Sequence, residues 1–218
     1  MSIGMVLLTI AAILVFFGVT QRVLDRMYLS DRAALLLIAL MFFGTLIPNL
    51  RLGSVQISVG GALIPVGICI YLLIRAGTNK ERLRALLGAV LTGALVFLLS
   101  AYILPDEPEQ LPFDPMYLNG ILGGLIAYAL GRSRRGAFIC GVLGVMLADI
   151  TAAVINRING IEQTLYLGGA GIFDAMMIAG ILAVVLAELV GEILERITRG
   201  QKQPANSSVV RVQHERRR

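Results

Sequence analysis

Apolar residues along this chain come in long blocks, and most charged residues fall in the short segments between them. Each block has roughly 17 to 22 residues, the length that a helix needs to cross a hydrocarbon core of about 30 Å. The pattern predicts an all-α fold, a polytopic helical membrane protein with about seven transmembrane helices. The predicted spans are 3–19, 33–50, 57–75, 85–104, 116–131, 137–155 and 168–190.

Composition agrees with this pattern. Hydrophobic residues make up 57% of the 218 positions and charged residues 15%, and the mean hydropathy is +0.81. A soluble domain of this size does not need so much apolar surface for one core, so these values exclude an ordinary soluble protein.

The basic residues decide the predicted orientation. If the N-terminus lies outside, all of them except Arg51 and Arg157 fall on the cytoplasmic side, while the acidic loop 106–114 lies outside. Cytoplasmic loops carry an excess of Lys and Arg, so we predict an N-out, C-in topology in a prokaryotic inner (plasma) membrane. No basic residue precedes the first apolar block, which favours a retained span over a cleaved signal peptide.

Residues 1–197 are predicted to form one membrane domain, and residues 198–218 a disordered basic cytoplasmic tail with too little apolar surface to fold alone. The net charge is +5 and the pI about 9.6. Because this charge is spread over loops that flank the membrane, we predict anionic lipid at the tail, and not nucleic acid, as the partner. Cys69 and Cys140 fall inside predicted spans, and we predict no disulfide.

The segment from Ser54 to Val59 alternates Ser, Val, Gln, Ile, Ser and Val. This period of two suits an extended strand as well as the start of a helix. For residues 51–61 we predict ordinary helix ends joined by a loop, and the alternative is a short extracellular hairpin or a re-entrant segment.

Small residues recur at every fourth position of the last two predicted spans. Such stripes let helix backbones approach closely in lipid, so the two helices are predicted to touch. The stripes are Gly136, Cys140, Gly144, Ala148 and Ala152 in the sixth span, and Gly171, Ala175, Ala179, Ala183 and Ala187 in the seventh.

Asp149 and Asp174 are lone carboxylates inside these two spans. An ionisable side chain in hydrocarbon costs at least ~2.5 kcal/mol, which makes both residues candidates for a functional site. Each lies about 9 Å below the outer end of its span at ~1.5 Å per residue. The sequence therefore predicts that the two side chains meet at one depth.

Uncharged polar residues gather in the outer portions of the predicted spans, which predicts a polar cavity that opens to the exterior. Asp149 and Asp174 would form its floor. On a helical wheel Asn156 lies within about 20° of Asp149. The residues predicted to contact a substrate or ligand are Asn119, Asn156, Gly169, Gly171, Asn49 and Gln56.

Three functions stay open for the pair. Carboxyl groups within ~4 Å of each other share a proton and act as general acid and base, as in aspartic proteases. Carboxylates further apart, with carbonyl oxygens between them, form a cation site or the proton-coupling site of a carrier. The third alternative is a structural membrane partner without catalytic activity. No particular metal is predicted.

Motifs narrow the enzyme classes. The single histidine, His214, lies in the tail, and no HExxH, paired-Cys, Walker or dinucleotide-binding pattern occurs. Serine-type hydrolases, zinc peptidases and nucleotide-dependent enzymes are therefore not expected, and no cofactor is predicted. Of the enzyme classes considered, an aspartyl mechanism remains, and its partner would be a peptide or another membrane protein.

Two segments, Gly60-Gly61-Ala62-Leu63-Ile64-Pro65 and Gly168-Gly169-Ala170-Gly171-Ile172-Phe173-Asp174, resemble a family of uncharacterised multi-pass membrane proteins of bacteria and archaea, domain of unknown function 1614. That resemblance implies no known activity. Gly169, Gly171 and Asp174 are also similar to the Gly-x-Gly-Asp motif of presenilin-like and prepilin-peptidase-like intramembrane aspartyl proteases. Here two residues separate the second Gly from the Asp. This likeness implies that Asp149 and Asp174 form a catalytic pair.

Overall fold

The computed structural model describes residues 31–103, 115–131, 133–171 and 174–200. Helices dominate these residues, so the predicted helical architecture is confirmed for this part of the chain. The first predicted span, the acidic loop and the tail beyond residue 200 lie outside the described residues. The helices are α1 Asp31–Thr45, α2 Ile64–Arg75, α3 Asn79–Ile103, α4 Pro115–Gly131, α5 Arg134–Ile158 and α6 Ala175–Gly200.

Two of the described helices are long and apolar enough to cross a membrane, over Asn79–Tyr102 in α3 and Arg134–Ile158 in α5. Shorter apolar helical stretches occupy Leu35–Thr45, Val59–Arg75, Met116–Gly131 and Ala175–Gly191. The predicted spans 116–131 and 137–155 agree with α4 and α5 to within three residues, and the predicted span 85–104 agrees with the end of α3, which begins six residues earlier.

A small three-stranded sheet accompanies the helices of this helical fold. Its strands are β1 Leu50–Leu52, β2 Val55–Ile57 and β3 Leu165–Leu167. β1 pairs antiparallel with β2, β2 pairs parallel with β3, and β2 lies in the middle. Gly53 has a φ of 62°, which the tight turn between β1 and β2 requires. The loop predicted for residues 51–61 is therefore wrong, and the alternative hairpin forms.

The chain leaves β2 through a five-residue π-helical turn, Val59–Leu63, before α2 begins. The Ser58 hydroxyl accepts a hydrogen bond from the Gly61 N–H at 3.2 Å and caps this turn. The predicted span from residue 57 is thus interrupted, because its first residues pair in the sheet. The preceding helix, α1, ends at Thr45 and not at residue 50, and Pro48 follows soon after.

Helices α3 to α6 pack as a bundle through their glycines. A Cβ built on Gly141 of α5 would lie 2.7 Å from the Ala179 backbone of α6, which confirms the predicted contact between these helices. Gly144, a member of the predicted stripe, instead faces Thr92 of α3. At Gly144 the predicted stripe of small residues therefore packs against α3 and not against α6. The contact with α6 is made by Gly141, which is not part of that stripe.

Helix α1 packs against the π-helical turn, where Gly60 lies against the backbone of Met41 and Thr45. The main core continues from there into the bundle. Its largest buried side chains include Met41, Leu72, Val142, Val145 and Met176.

Basic residues meet at one end of the bundle. The Arg82 guanidinium donates to the carbonyl oxygens of Leu73 at 2.9 Å and Ile74 at 3.1 Å, which caps the C-terminus of α2. Arg135 forms an ion pair with Glu81 at 3.2 Å. The first turns of α3 and α5 therefore lie side by side.

Candidate functional site

A cavity of about 380 Å³ lies beside β3 and the N-terminus of α6. Among the described residues that line it, two are acidic and none is basic. The acidic residues are Asp149 and Asp174, the neutral polar residues are Asn119, Gln163, Thr164 and Tyr166, and the others are Met116, Ala152, Leu165, Gly169, Ala170 and Ala175.

Asp149 reaches the cavity from within α5 and is partly buried. Asp149 and Asp174 line the same cavity. Within the described part of the chain, no hydrogen-bond donor reaches the Asp149 carboxyl group. Its oxygens are therefore available to a ligand.

Asp174 reaches the cavity from the residue before α6, and 7% of it is exposed. Its Oδ1 accepts a hydrogen bond from the Met176 N–H at 3.1 Å, and its carbonyl oxygen accepts one from Ile178 N–H at 3.1 Å. Asp174 is therefore the N-cap of α6. The predicted helix start at residue 168 is wrong by seven residues (175 − 168).

The turn before Asp174 explains this late start. Gly168 and Gly171 have φ angles of 70° and 67°, which side-chain-bearing residues rarely adopt and which do not continue a helix. The Gly171 N–H donates to Gly168 O at 2.8 Å, and the Asp174 N–H donates to Gly171 O at 3.1 Å. Two successive turns therefore fix the position of the Asp174 side chain.

This glycine turn presses against the π-helical turn. A Cβ on Gly61 would clash with Gly168 O and would lie 2.6 Å from Gly171 O. The two glycine-containing segments quoted for the family resemblance are thus in direct backbone contact. Their contact supports the wall of the cavity formed by Gly169 and Ala170.

Asn119 lies on α4 and is oriented by α3. The Ser100 hydroxyl donates a hydrogen bond to Asn119 Oδ1 at 2.7 Å. This bond occupies the amide oxygen and leaves the amide N–H groups as donors. A carbonyl oxygen in the cavity is the kind of ligand group that they would bind.

Strand β3 offers the cavity an open edge. The Leu165 N–H donates to Ser54 O at 2.9 Å, and Leu167 O accepts from the Ser58 N–H at 3.0 Å. Residues 165 and 167 therefore use their main-chain groups towards β2, and those of Tyr166 point to the other side. Among the described strands, none pairs with that side.

The other predicted site residues lie at different distances from the cavity. Gly169 lines it, whereas Gly171 is buried behind its wall, against Thr45. Gln56 lies in β2, and its Nε2 donates to the Tyr166 hydroxyl at 3.4 Å, so it contacts a lining residue. Asn49, beside β1, and Asn156, in α5, are not among the described residues of the lining.

The family model described as "DUF1614: Protein of unknown function" matches residues 19–186. The chain belongs to the DUF1614 family. This confirms the resemblance predicted from the two glycine-containing segments, and the matched range includes every described residue that lines the cavity. Comparison with curated proteins gave no match, and neither did comparison with solved structures.

In this DUF1614 chain, sequence reasoning missed the lining residues Gln163, Thr164 and Tyr166, as well as Ser100 as the partner of Asn119. The alternation Leu165-Tyr166-Leu167 before a pair of glycines is a weak strand signal that could have found part of this set. Among the described residues, no group of three or more His, Cys, Asp or Glu side chains is arranged to hold a metal ion.

Proposed function

We propose that this protein is a multi-pass protein of a prokaryotic inner membrane that hydrolyses peptides with Asp149 and Asp174. One observation carries the proposal: Asp149, Asp174 and two residues of the edge strand β3, Leu165 and Tyr166, line the same cavity. The likeness of Gly169, Gly171 and Asp174 to intramembrane aspartyl proteases agrees with it.

The outer face of α3 supports placement in a membrane. Large apolar side chains that are 42% to 83% exposed follow one face of this helix from Leu87 to Tyr102, a distance of about 22 Å at ~1.5 Å per residue. Soluble monomers rarely expose a continuous apolar surface of this size. In a membrane, lipid acyl chains would cover this apolar face of α3.

The contacts at the basic end support the N-out, C-in orientation. Glu81 in the first turn of α3 pairs with Arg135 in the first turn of α5, and Arg134 pairs with Glu188 on that side of the bundle as well. We infer from the excess of Arg and Lys that this end lies in the cytoplasm. The cavity and the sheet then face the exterior, and the proposed seven spans include one formed by residues 3–19.

Strand β3 supports a peptide as substrate. An extended peptide adds to an exposed sheet edge through main-chain hydrogen bonds, and its alternate side chains enter pockets. A peptide paired with Tyr166 would run along the cavity that holds the two carboxyl groups. The neighbouring side chains of Ala152 and Ala175 leave room for a side chain of the substrate.

The proposed chemistry is general acid–base hydrolysis. An ionised carboxylate takes a proton from water, the water oxygen attacks the peptide carbonyl carbon, and the second carboxyl group gives its proton to the carbonyl oxygen. Collapse of the diol intermediate breaks the C–N bond: one diol hydroxyl group returns a proton to the former acid, and the base passes its proton to the leaving amine. Because the Met176 N–H stabilises a carboxylate, we assign Asp174 as the base and Asp149 as the acid.

A second candidate is a carrier or binding protein for a cation. The lining supports it through two acidic side chains with no basic residue among its described members. Asn119 Oδ1, which has a second lone pair beside the one that accepts from Ser100, would then be a neutral ligand. The open edge of β3 has no role in this alternative, which is why peptide hydrolysis ranks first.

The test uses the full chain reconstituted in proteoliposomes with a mixture of extended apolar peptides, and mass spectrometry reports cleavage. Asp149→Asn and Asp174→Asn should each lower the cleavage rate by roughly 100- to 10,000-fold, the usual contribution of a general acid or base. Glu162→Gln is the matched control, because Glu162 is an exposed acid near the cavity that does not line it.

Cleavage that persists at the wild-type rate in either Asn variant contradicts the proposal. Mutation-sensitive cation flux without any peptide cleavage supports the carrier instead. Inactivity in both assays, with normal folding of both variants, supports a structural membrane partner.

A further inference from the structure

We propose that α3 carries a binding site for an anionic phospholipid, with the headgroup at Lys80 and Arg84 and an acyl chain along the exposed leucines that follow. This site lies at the opposite end of the bundle from the carboxylate cavity. It rests on the membrane placement proposed above and is independent of peptide hydrolysis.

Most cations at the basic end already have partners. Arg82 donates to carbonyl oxygens of α2 and to Asn79 Oδ1 at 3.3 Å. Arg134 pairs with Glu188, and Arg75 lies over the ring of Tyr71 at 5.6 Å.

Lys80 and Arg84 differ from these residues. Both are exposed, and neither forms an ion pair or a side-chain hydrogen bond with the described residues. Glu81, the acidic residue between them, is engaged by Arg135. The first turns of α3 therefore present two cations without an internal counter-ion, which a phosphate group would complement.

These two cations continue the exposed apolar face of α3. At ~100° per residue, Lys80, Arg84, Leu87, Leu91 and Leu95 lie within an arc of about 80°. The same helix face is thus charged at its first turns and apolar afterwards. A lipid has this order of polarity, with an anionic headgroup followed by a hydrocarbon chain.

The dimensions agree with one leaflet. Half of a ~30 Å hydrocarbon core is about 15 Å. The rise from Arg84 to Leu95 is about 16 Å at ~1.5 Å per residue. An acyl chain that starts at the level of Arg84 would therefore lie along Leu87, Leu91 and Leu95 before it reaches the bilayer centre.

The charge of the lipid headgroup should determine which lipids bind at Lys80 and Arg84. Each Lys or Arg near an anionic membrane surface raises affinity roughly fivefold, so two should give a preference of about 25-fold for an anionic over a zwitterionic lipid with the same chains. The headgroup of phosphatidylglycerol carries this charge, and that of phosphatidylcholine does not.

Native mass spectrometry of the purified full chain in detergent tests this site, with phosphatidylglycerol and phosphatidylcholine of identical chains as probes. The wild type should retain phosphatidylglycerol in preference, and the double variant Lys80→Gln/Arg84→Gln should lose most of that preference. Lys80→Arg/Arg84→Lys keeps both charges and should bind as the wild type does. Arg51→Gln, which removes an exposed cation at the opposite end, should change nothing.

A phosphatidylglycerol preference that survives Lys80→Gln/Arg84→Gln overturns the site. Equal competition by glycerophosphate, which has no acyl chain, also overturns it, because the leucine face would then have no role. A dimer cross-linked through Leu91→Cys would assign this face to a second copy of the chain. A protein that stays monomeric in buffer without detergent would contradict the membrane placement itself, whereas a detergent-dependent protein without lipid preference contradicts the lipid site alone.

Discussion

Asp149 and Asp174 line one cavity, although the first lies within helix α5 and the second caps helix α6. Their backbones are held by different means. The backbone of Asp149 is held within the long helix α5, which packs against α3, α4 and α6. The backbone of Asp174 is held by the two turns at Gly168 and Gly171 and by its place as the N-cap of α6. The proposed chemistry needs this arrangement, because an acid and a base with different hydrogen-bond partners have different preferred charges.

Two substitutions separate the role of Asp174 as a helix cap from its proposed role in catalysis. Asp174→Ala removes the acceptor of the Met176 N–H and should lower the free energy of unfolding by about 1 kcal/mol. Asp174→Asn should change it by only a few tenths, because Asn is an equally good N-cap. Reversible unfolding of the purified variants in detergent measures both values. Equal stability of wild type and Asp174→Ala would contradict the capping role.

The contact between the two glycine turns should tolerate no side chain. Gly61→Ala would force its Cβ against Gly168 O and Gly171 O, and we expect a loss of several kcal/mol of stability or a failure to fold. Gly67→Ala is the matched control, because a Cβ at this helical position meets nothing within 4 Å. It should be neutral or should stabilise α2 by up to about 1 kcal/mol. Expression yield and melting temperature report the difference, and a Gly61→Ala protein that melts like the wild type would refute the contact.

The ion pair between Arg134 and Glu188 joins α5 to α6, with side chains 14% and 20% exposed. Arg134→Gln and Glu188→Gln each leave one partly buried charge without its partner and should each cost about 1 to 3 kcal/mol. The double variant should cost less than the sum of the two, by at least about 1 kcal/mol. Strictly additive losses in a double-mutant cycle would show that the two charges do not interact.

Proline substitutions at two neighbouring positions of β3 test whether a peptide adds to the open edge of this strand. Tyr166→Pro removes an N–H that points away from β2, so the sheet should remain intact while peptide cleavage falls at least about tenfold through a raised KM. Leu165→Pro removes the N–H that donates to Ser54 O and should instead destabilise the sheet. Unchanged kinetics in Tyr166→Pro would rule out strand addition at this edge.

The sequence predicted α3, α4 and α5 well, because their apolar blocks end at charged or turn-forming residues such as Arg134. The start of α6 could not be predicted in the same way. Gly168 to Phe173 is as apolar as a helix, and the positive φ angles of Gly168 and Gly171 result from packing against Gly61, which is distant in sequence. Strand β3 was missed for a related reason, since it is stabilised by pairing with β2 and not by local preference.

The sequence nevertheless offers a physical reason to expect Asp149 and Asp174 near each other, namely the small residues of the two helices. Small residues allow α5 and α6 to touch, as the contact between Gly141 and Ala179 shows. The predicted depth of Asp174 was derived from a helix start that is wrong, yet the cavity still includes both carboxyl groups. The hydrogen-bonded glycine turn, which is not helical, and the late start of α6 bring Asp174 to the cavity from the end of a helix.

The most direct test of the peptidase proposal is the melting temperature of the purified protein with a peptide that carries a hydroxyl group in place of the scissile carbonyl. The control ligand is the same peptide without the hydroxyl group. At a concentration of 100 times its Kd, a ligand of the native state adds about 2.7 kcal/mol of stability. We predict that the hydroxyl peptide raises the melting temperature of the wild type and of neither Asp149→Asn nor Asp174→Asn. A wild type that responds to cations but not to this peptide would contradict the account and favour the cation carrier.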